Sequence, residues 1–248
     1  MPEDLDDHRW FGSSVAVSGD KFAVGYPRQP NGGGVYTFTK VDGDWQLEDV
    51  LNPEEDVPGA QIGYNLEYDG RMIFAGAPYH EQGELTDGAA YVFTNDEGEW
   101  HEDLIIKSED LKEEFNFGFT ISLNGDYAAI SDGYYNEEHY LLSVNMYEHV
   151  NEEWELTQTI DEHDDDNWFG REIALTNDML LVSAYEAVYG YRKIDDRWQE
   201  FETDITYDYP QIKIDNIAMD GRWVIIGDKS AEVDTISPGA AYIYDISE

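Results

Sequence analysis

Apolar and polar residues alternate in short runs along most of the 248-residue chain, and Gly, Asn and Asp break the runs. A period of two over four to eight residues predicts half-buried β-strands rather than helices. One order of runs recurs. Four copies start at Trp10-Phe11-Gly12, Gln61-Ile62-Gly63, Asn116-Phe117-Gly118 and Trp168-Phe169-Gly170, and each continues into a short strand, a tight turn and a second strand. The turns read Gly19-Asp20, Asp69-Gly70, Gly125-Asp126 and Asn177-Asp178. A fifth copy keeps a turn at Asp220-Gly221 but has Lys213-Ile214 where the Phe-Gly start would be. Gly, Asn and Asp tolerate the positive φ that a tight hairpin demands.

The second strands are predicted at Lys21–Gly25, Arg71–Gly76, Tyr127–Ser131, Met179–Ser183 and Arg222–Gly227. Third strands end on the aromatics Phe38, Phe93, Tyr147, Tyr191 and Tyr244, and a fourth strand opens at Trp45, Trp100, Trp154 and Trp198. Each copy is thus an antiparallel four-stranded meander, too small to bury its faces alone. Stacked radially, such sheets make a β-propeller. The expected architecture is an all-β, five-bladed β-propeller forming one domain over residues 1–248, with blades at about 10–56, 61–110, 115–163, 168–207 and 211–248. The last blade is expected to be three-stranded. Residues 1–9 align with the stretch after a fourth strand and so supply no closing strand, giving 19 main strands and an exposed edge that an assembly partner could cover.

Composition changes the setting more than the fold. Acidic residues number 55 against 14 basic ones, a formal net charge of −41, yet hydrophobic residues hold at 41% and aromatics at 14%. That apolar content marks a folded chain rather than a disordered acidic one. Acids run through every segment, which points to a protein adapted to concentrated salt. At ~1 M salt the Debye length is about 3 Å and repulsion between surface carboxylates is largely switched off. Weak cation binding at the surface is the competing explanation. The charge argues against nucleic acid and anionic lipid as partners. No apolar run reaches the ~20 residues of a membrane span, and the opening residues do not resemble a signal peptide. With no cysteine, disulfides and thiolate metal sites are excluded.

Phe11-Gly12 followed by Gly25-Tyr26-Pro27, and Ile62-Gly63 followed by Gly76-Ala77-Pro78, resemble FG-GAP repeats, the units of the integrin α-subunit propeller and of many microbial surface proteins. The resemblance implies a propeller with recognition at a cell or particle surface as its role. Family-type calcium loops are not expected, because the connection that would carry them is only a tight turn, without room for six to eight oxygen ligands. No cofactor or metal is expected. The acidic run Asp161–Asp166 has Asp166 where a calcium loop of the EF-hand kind needs glycine, and the six histidines show no metal-ligand spacing.

Candidate chemistry lies in the connections. The first-to-second and third-to-fourth turns are short, whereas Tyr26–Gly33, Pro78–Gly88, Asp132–Tyr140 and Asp228–Gly239 are long and varied. Length and variation are tolerated where recognition sits on a rigid scaffold. This predicts a ligand-binding face carrying Arg28, Tyr79, His80, Tyr134, Tyr135, His139 and Tyr185, with a surface glycan or protein as the partner and an extracellular or surface location. The alternatives are a structural or receptor-binding protein of a virion or cell envelope, and a glycosidase with two channel carboxylates. With 55 acids, no such pair is singled out.

Overall fold

The computed structural model describes residues 10–82, 85–108, 116–135, 140–161, 168–184, 187–203, 205, 214, 216–229, 231 and 239–246, with the side chains of residues 82, 85, 134, 135 and 140–142 excepted. The fold is an all-β, five-bladed β-propeller. Blade one is β1 (Val15–Ser18), β2 (Lys21–Gly25), β3 (Val35–Val41) and β4 (Asp44–Leu51). Blade two is β5 (Leu66–Tyr68), β6 (Met72–Ala77), β9 (Ala89–Asp96) and β10 (Glu99–Lys107), with a small hairpin, β7 (Glu81–Gln82) and β8 (Leu85–Thr86), between its second and third strands. Blade three is β11 (Ile121–Asn124), β12 (Tyr127–Tyr135), β13 (Tyr140–Val150) and β14 (Glu153–Asp161). Blade four is β15 (Ile173–Leu175), β16 (Met179–Ser183), β17 (Val188–Ile194) and β18 (Arg197–Phe201). Blade five has three strands among the described residues, β19 (Asn216–Asp220), β20 (Trp223–Asp228) and β21 (Ala240–Asp245). The small hairpin is the addition to the 19 expected strands, and residues 1–9 lie outside the described residues. The chain divides into two compact units, Met1–Ile121 and Ser122–Glu248.

Turn chemistry explains the meanders. Every β3–β4-type connection is two residues, both with positive φ: Asp42 (52°) and Gly43 (94°), Glu97 (53°) and Gly98 (96°), Asn151 (53°) and Glu152 (70°), Asp195 (48°) and Asp196 (62°). Two left-handed residues in succession match the right-handed twist of the strands they join. One expected loop is corrected. Residues 132–140 were expected to connect strands, but β12 runs on to Tyr135, with Tyr134 opposite Leu141 and Tyr135 opposite Tyr140. Tyrosine and leucine suit paired strand positions, so the ladder continues where a loop was expected.

The Phe-Gly starts have a mechanical cause. Gly12, Gly63, Gly118 and Gly170 all adopt φ between 81° and 85°. Gly12 N donates to Gly25 O (2.9 Å), Gly63 N to Gly76 O (3.0 Å) and Gly170 N to Ser183 O (2.9 Å), tying each start to the end of its own second strand. The same glycine also seats against the preceding blade. A Cβ on Gly25 would lie 2.1 Å from Gly63 O, and one on Gly76 would lie 2.0 Å from Gly118 O. In the second unit the equivalent partner of Gly170 is Ser131, whose Cβ is 3.7 Å from the Cβ position of Gly170. Parallel bridges Gly33–Ile62 and Gly88–Phe117 add to the contacts in the first unit.

Apolar faces close on one another inside each unit. In the first, Ala23, Val35 and Leu51 of blade one pack with Leu66, Tyr68, Ile73, Tyr91 and Phe93 of blade two. In the second, Met146 and Ile160 pack with Leu180, Val182, Tyr191 and Trp198. There Lys193 Nζ donates to Tyr127 Oη (2.8 Å) and to Glu148 (3.1 Å), and Gln158 exchanges two hydrogen bonds with the backbone of Trp198.

Candidate functional site

In the first unit the long connection after β2 folds on itself. Tyr26 N donates to Gly34 O, Gln29 N to Tyr26 O, and both Gly32 and Gly33 donate to Gln29 O. Self-bonding of this kind holds an exposed loop in one shape, and it presents Arg28. The guanidinium carbon of Arg28 sits 4.5 Å from the ring centroid of Trp10, which is 48% exposed and held at φ 84°. The contact is a cation–π pair at the surface. Beneath it Phe11 meets Tyr26 and Tyr36 edge-on at 6.0 and 5.2 Å, so the pair stands on packed aromatics. Tyr79 is 43% exposed, and its backbone N–H donates to Ala60 O.

His80 differs from the expectation that it faces a ligand. It is 4% exposed, its Nδ1 lies 3.0 Å from the hydroxyl of fully buried Tyr91, and its backbone carbonyl accepts from Gly88 N. Burial, with help from the positive charge of Lys107, pushes its pKa down to about 4. A neutral imidazole satisfying a buried phenol is a core role. Its contribution to stability is fully present above pH 6.5 and falls away as the pH drops towards 4. Tyr134 and Tyr135 belong to β12 rather than a loop, with side chains outside the described residues. His139 and Tyr185 lie outside the described residues altogether. Of the seven expected residues, Arg28 and Tyr79 are the ones placed at the surface of a long connection.

The second unit holds a site that the sequence reading missed. Where β20 ends and β21 begins, a cavity of about 630 Å³ is lined by Arg171, Asn216, Asp228 and Lys229, with Gly227, Gly239, Ala240 and Ala241 as its backbone wall. Asp228 is 2% exposed, and Arg171 is half-buried with its guanidinium 5.3 Å from the ring of Trp168. Gly239, at φ 75°, lets the returning chain pass close to Asp228, since a Cβ there would lie 3.1 Å from the Asp228 carbonyl oxygen. A signal for this site was present. The residue after the Phe-Gly glycine is Ser13, Tyr64 or Phe119 in the first three blades, and a cation, Arg171, in the fourth.

No protein-family model and no curated protein matches the chain. Solved structures do. One is a "putative 6-phosphogluconolactonase" from Bacteroides uniformis, 11% identical, with a TM-score of 0.59 over 94% of this chain and 67% of that one. Another is the extracellular domain of a "putative hybrid two component system" from B. thetaiotaomicron, 14% identical, with a TM-score of 0.50 over 87% of this chain. This chain covers 26% of that protein's length. At such identities the likeness shows the fold alone. Among the described residues no helix is long and apolar enough to cross a membrane.

Proposed function

We propose that the chain is a non-catalytic recognition propeller of the FG-GAP type, working at a cell or particle surface in concentrated salt and binding a surface glycan through its long-connection end. The observation that carries this is Arg28 stacked on half-exposed Trp10, on a loop braced by its own backbone hydrogen bonds. A half-exposed indole with a guanidinium held over its ring suits a sugar, whose hydroxyls the directed N–H donors meet while the uncovered indole surface supplies apolar contact. Short-range contacts of this kind persist where salt has screened longer-range attraction.

A glycan array probed in 2 M KCl tests the reading. Wild-type protein should bind a restricted set of glycans, and Arg28→Ala and Tyr79→Ala should each weaken that binding with melting unchanged. Release of reducing ends from a bound glycan would overturn the non-catalytic assignment. Full binding by both variants would overturn the assignment of the surface.

A further inference from the structure

We propose that the exposed apolar face of blade five docks onto the exposed apolar face of blade one in a second copy of this chain, so that the protein assembles head to tail in concentrated salt. Four apolar strand residues lie open where the repeat elsewhere buries its equivalents. In blade one, Val15 and Val17 on β1 are 69% and 70% exposed. Their equivalents, Leu66 and Tyr68 in blade two and Ile173 and Leu175 in blade four, are buried in the cores shared with the preceding blade. In blade five, Ile225 and Ile243 stand opposite each other on β20 and β21 and are 49% and 67% exposed. The same two positions are buried in blade one, as Ala23 and Thr37, and in blade three, as Ala129 and Met146. Apolar patches of this kind mark interaction surfaces.

The two faces are the two halves of one contact. Val15, Val17 and Phe22 hold the positions at which Ile173, Leu175 and Leu180 of blade four pack on Ala129 and Met146 of blade three. Ile225 and Ile243 hold the positions of that Ala129 and Met146. Phe22 is stacked on Phe38 at 4.6 Å, and both rings are half-buried, so the blade-one face is preformed. The glycines match as well. Gly25 lies on Gly63 so closely that a Cβ would come within 2.1 Å of the Gly63 carbonyl oxygen. Gly227 holds the Gly25 position and Gly12 the Gly63 position. Among the described residues, a Cβ on Gly12 would meet nothing within 4 Å, and one on Gly227 nothing nearer than 4.0 Å. Seat and occupant are both present, and this complementarity names the partner. Because the two faces differ, the contact is heterologous and leads to rings or filaments rather than isologous pairs. Copies with a net charge of −41 repel in dilute buffer, whereas at ~1 M salt screening lets the apolar contact decide.

The test is the mass in solution, followed by light scattering in 2 M KCl from about 1 to 100 µM protein. Wild type should grow heavier with concentration. Val15→Gln/Val17→Gln and Ile225→Gln/Ile243→Gln change exposed positions, so each should melt like dilute wild type and keep the mass of one chain. Mixed in equal amounts, they should form a two-chain complex, because each keeps the face that the other lacks. Gly227→Ala should weaken association at least tenfold while leaving the melt of the single chain unchanged. A mass of one chain at every wild-type concentration overturns the proposal, and a lowered melt in both double variants would then show the faces covered within one chain. Growth that survives either double variant overturns it too, as does a mixture no heavier than its components.

Discussion

The two units build the same blade by different means. In Met1–Ile121, backbone lies directly on backbone where blades meet: Gly25 on Gly63, Gly76 on Gly118, Gly33 on Ile62 and Gly88 on Phe117. In Ser122–Glu248, the equivalent of Gly25 and Gly76 is Ser131 in blade three and Ser183 in blade four, and in blade five it is Gly227, where among the described residues a Cβ would meet nothing nearer than the Asn216 carbonyl oxygen at 4.0 Å. The hairpins differ likewise. The first unit closes its outer turns with Asp42-Gly43 and Glu97-Gly98, the second with Asn151-Glu152 and Asp195-Asp196, although all four pairs hold positive φ. Charge does not separate the units, since each has seven basic residues and the acids divide 26 to 29. The difference teaches that the Phe-Gly and Gly-Ala-Pro portions of the repeat are two halves of one contact. Where a blade seats its successor through glycine both halves persist; where Ser131 stands in for that glycine the Phe169-Gly170 start is still kept, and after Ser183 the start is lost too.

Salt should produce the largest effect and leave the comparison intact. With near-equal acid loads, both units should gain stability together as KCl rises from 0.1 to 3 M, seen as a steady climb in melting temperature. A flat or falling series would contradict adaptation to brine, and rescue by millimolar calcium alone would point to specific metal sites instead. Glycine substitution comes next and splits the units. Gly76→Ala drives a Cβ to within 2.0 Å of a backbone oxygen and should cost about 3 kcal/mol or more in denaturant titrations. A Cβ on Gly227 meets only the Asn216 carbonyl oxygen among the described residues, at an ordinary 4.0 Å, and Gly227→Ala should change stability by no more than about 0.5 kcal/mol. Equal costs would break the comparison.

Glu67 sharpens it through pH. Its repeat position is Ser122 in blade three, which accepts a hydrogen bond from Leu175 N, and Ala174 in blade four, both neutral. Burial pushes the Glu67 carboxyl up to about 7 from an ordinary 4.5. A raised acid costs nothing below the unfolded value and its full penalty above the folded one. Glu67→Gln should therefore leave stability unchanged at pH 4 and raise it at pH 8 by on the order of 1–3 kcal/mol. Smallest are the turns. Glu152→Gly and Asp196→Gly should each gain about 1 kcal/mol by relieving a left-handed non-glycine residue, and no such gain is open to the Gly43 and Gly98 turns.

How legible the molecule was follows from what repeats. Strand order, turn positions and the three-stranded last blade could be read because the glycines, closing aromatics and tryptophans recur at fixed offsets, and period two then assigns their faces. Single-copy features were harder to read. His80 looked like a loop histidine, but the connection holding it turns inward and bonds it to Tyr91, a contact visible only in three dimensions. Tyr134 and Tyr135 looked like loop aromatics because the second strand was expected to end at Ser131, yet the ladder runs on through Tyr135. The cavity joins Arg171 to Lys229 across 58 positions of chain, and no local pattern links them. Arg28 was legible as an exposed loop cation; that Trp10 lies beneath it was not.

The central claim is that recognition belongs to the long-connection end, and blade one contains its own control. Arg28 over Trp10 marks that end, while Lys40 over half-exposed Trp45, at 5.7 Å, is a cation–aromatic pair beside the two-residue turn at the opposite end. The deciding measurement is glycan-array binding in 2 M KCl by a Trp10→Ala/Arg28→Ala variant against a Lys40→Ala/Trp45→Ala variant, each checked by melting. The account predicts binding lost in the first and retained in the second; binding retained in the first, or lost in the second with its fold intact, would contradict it.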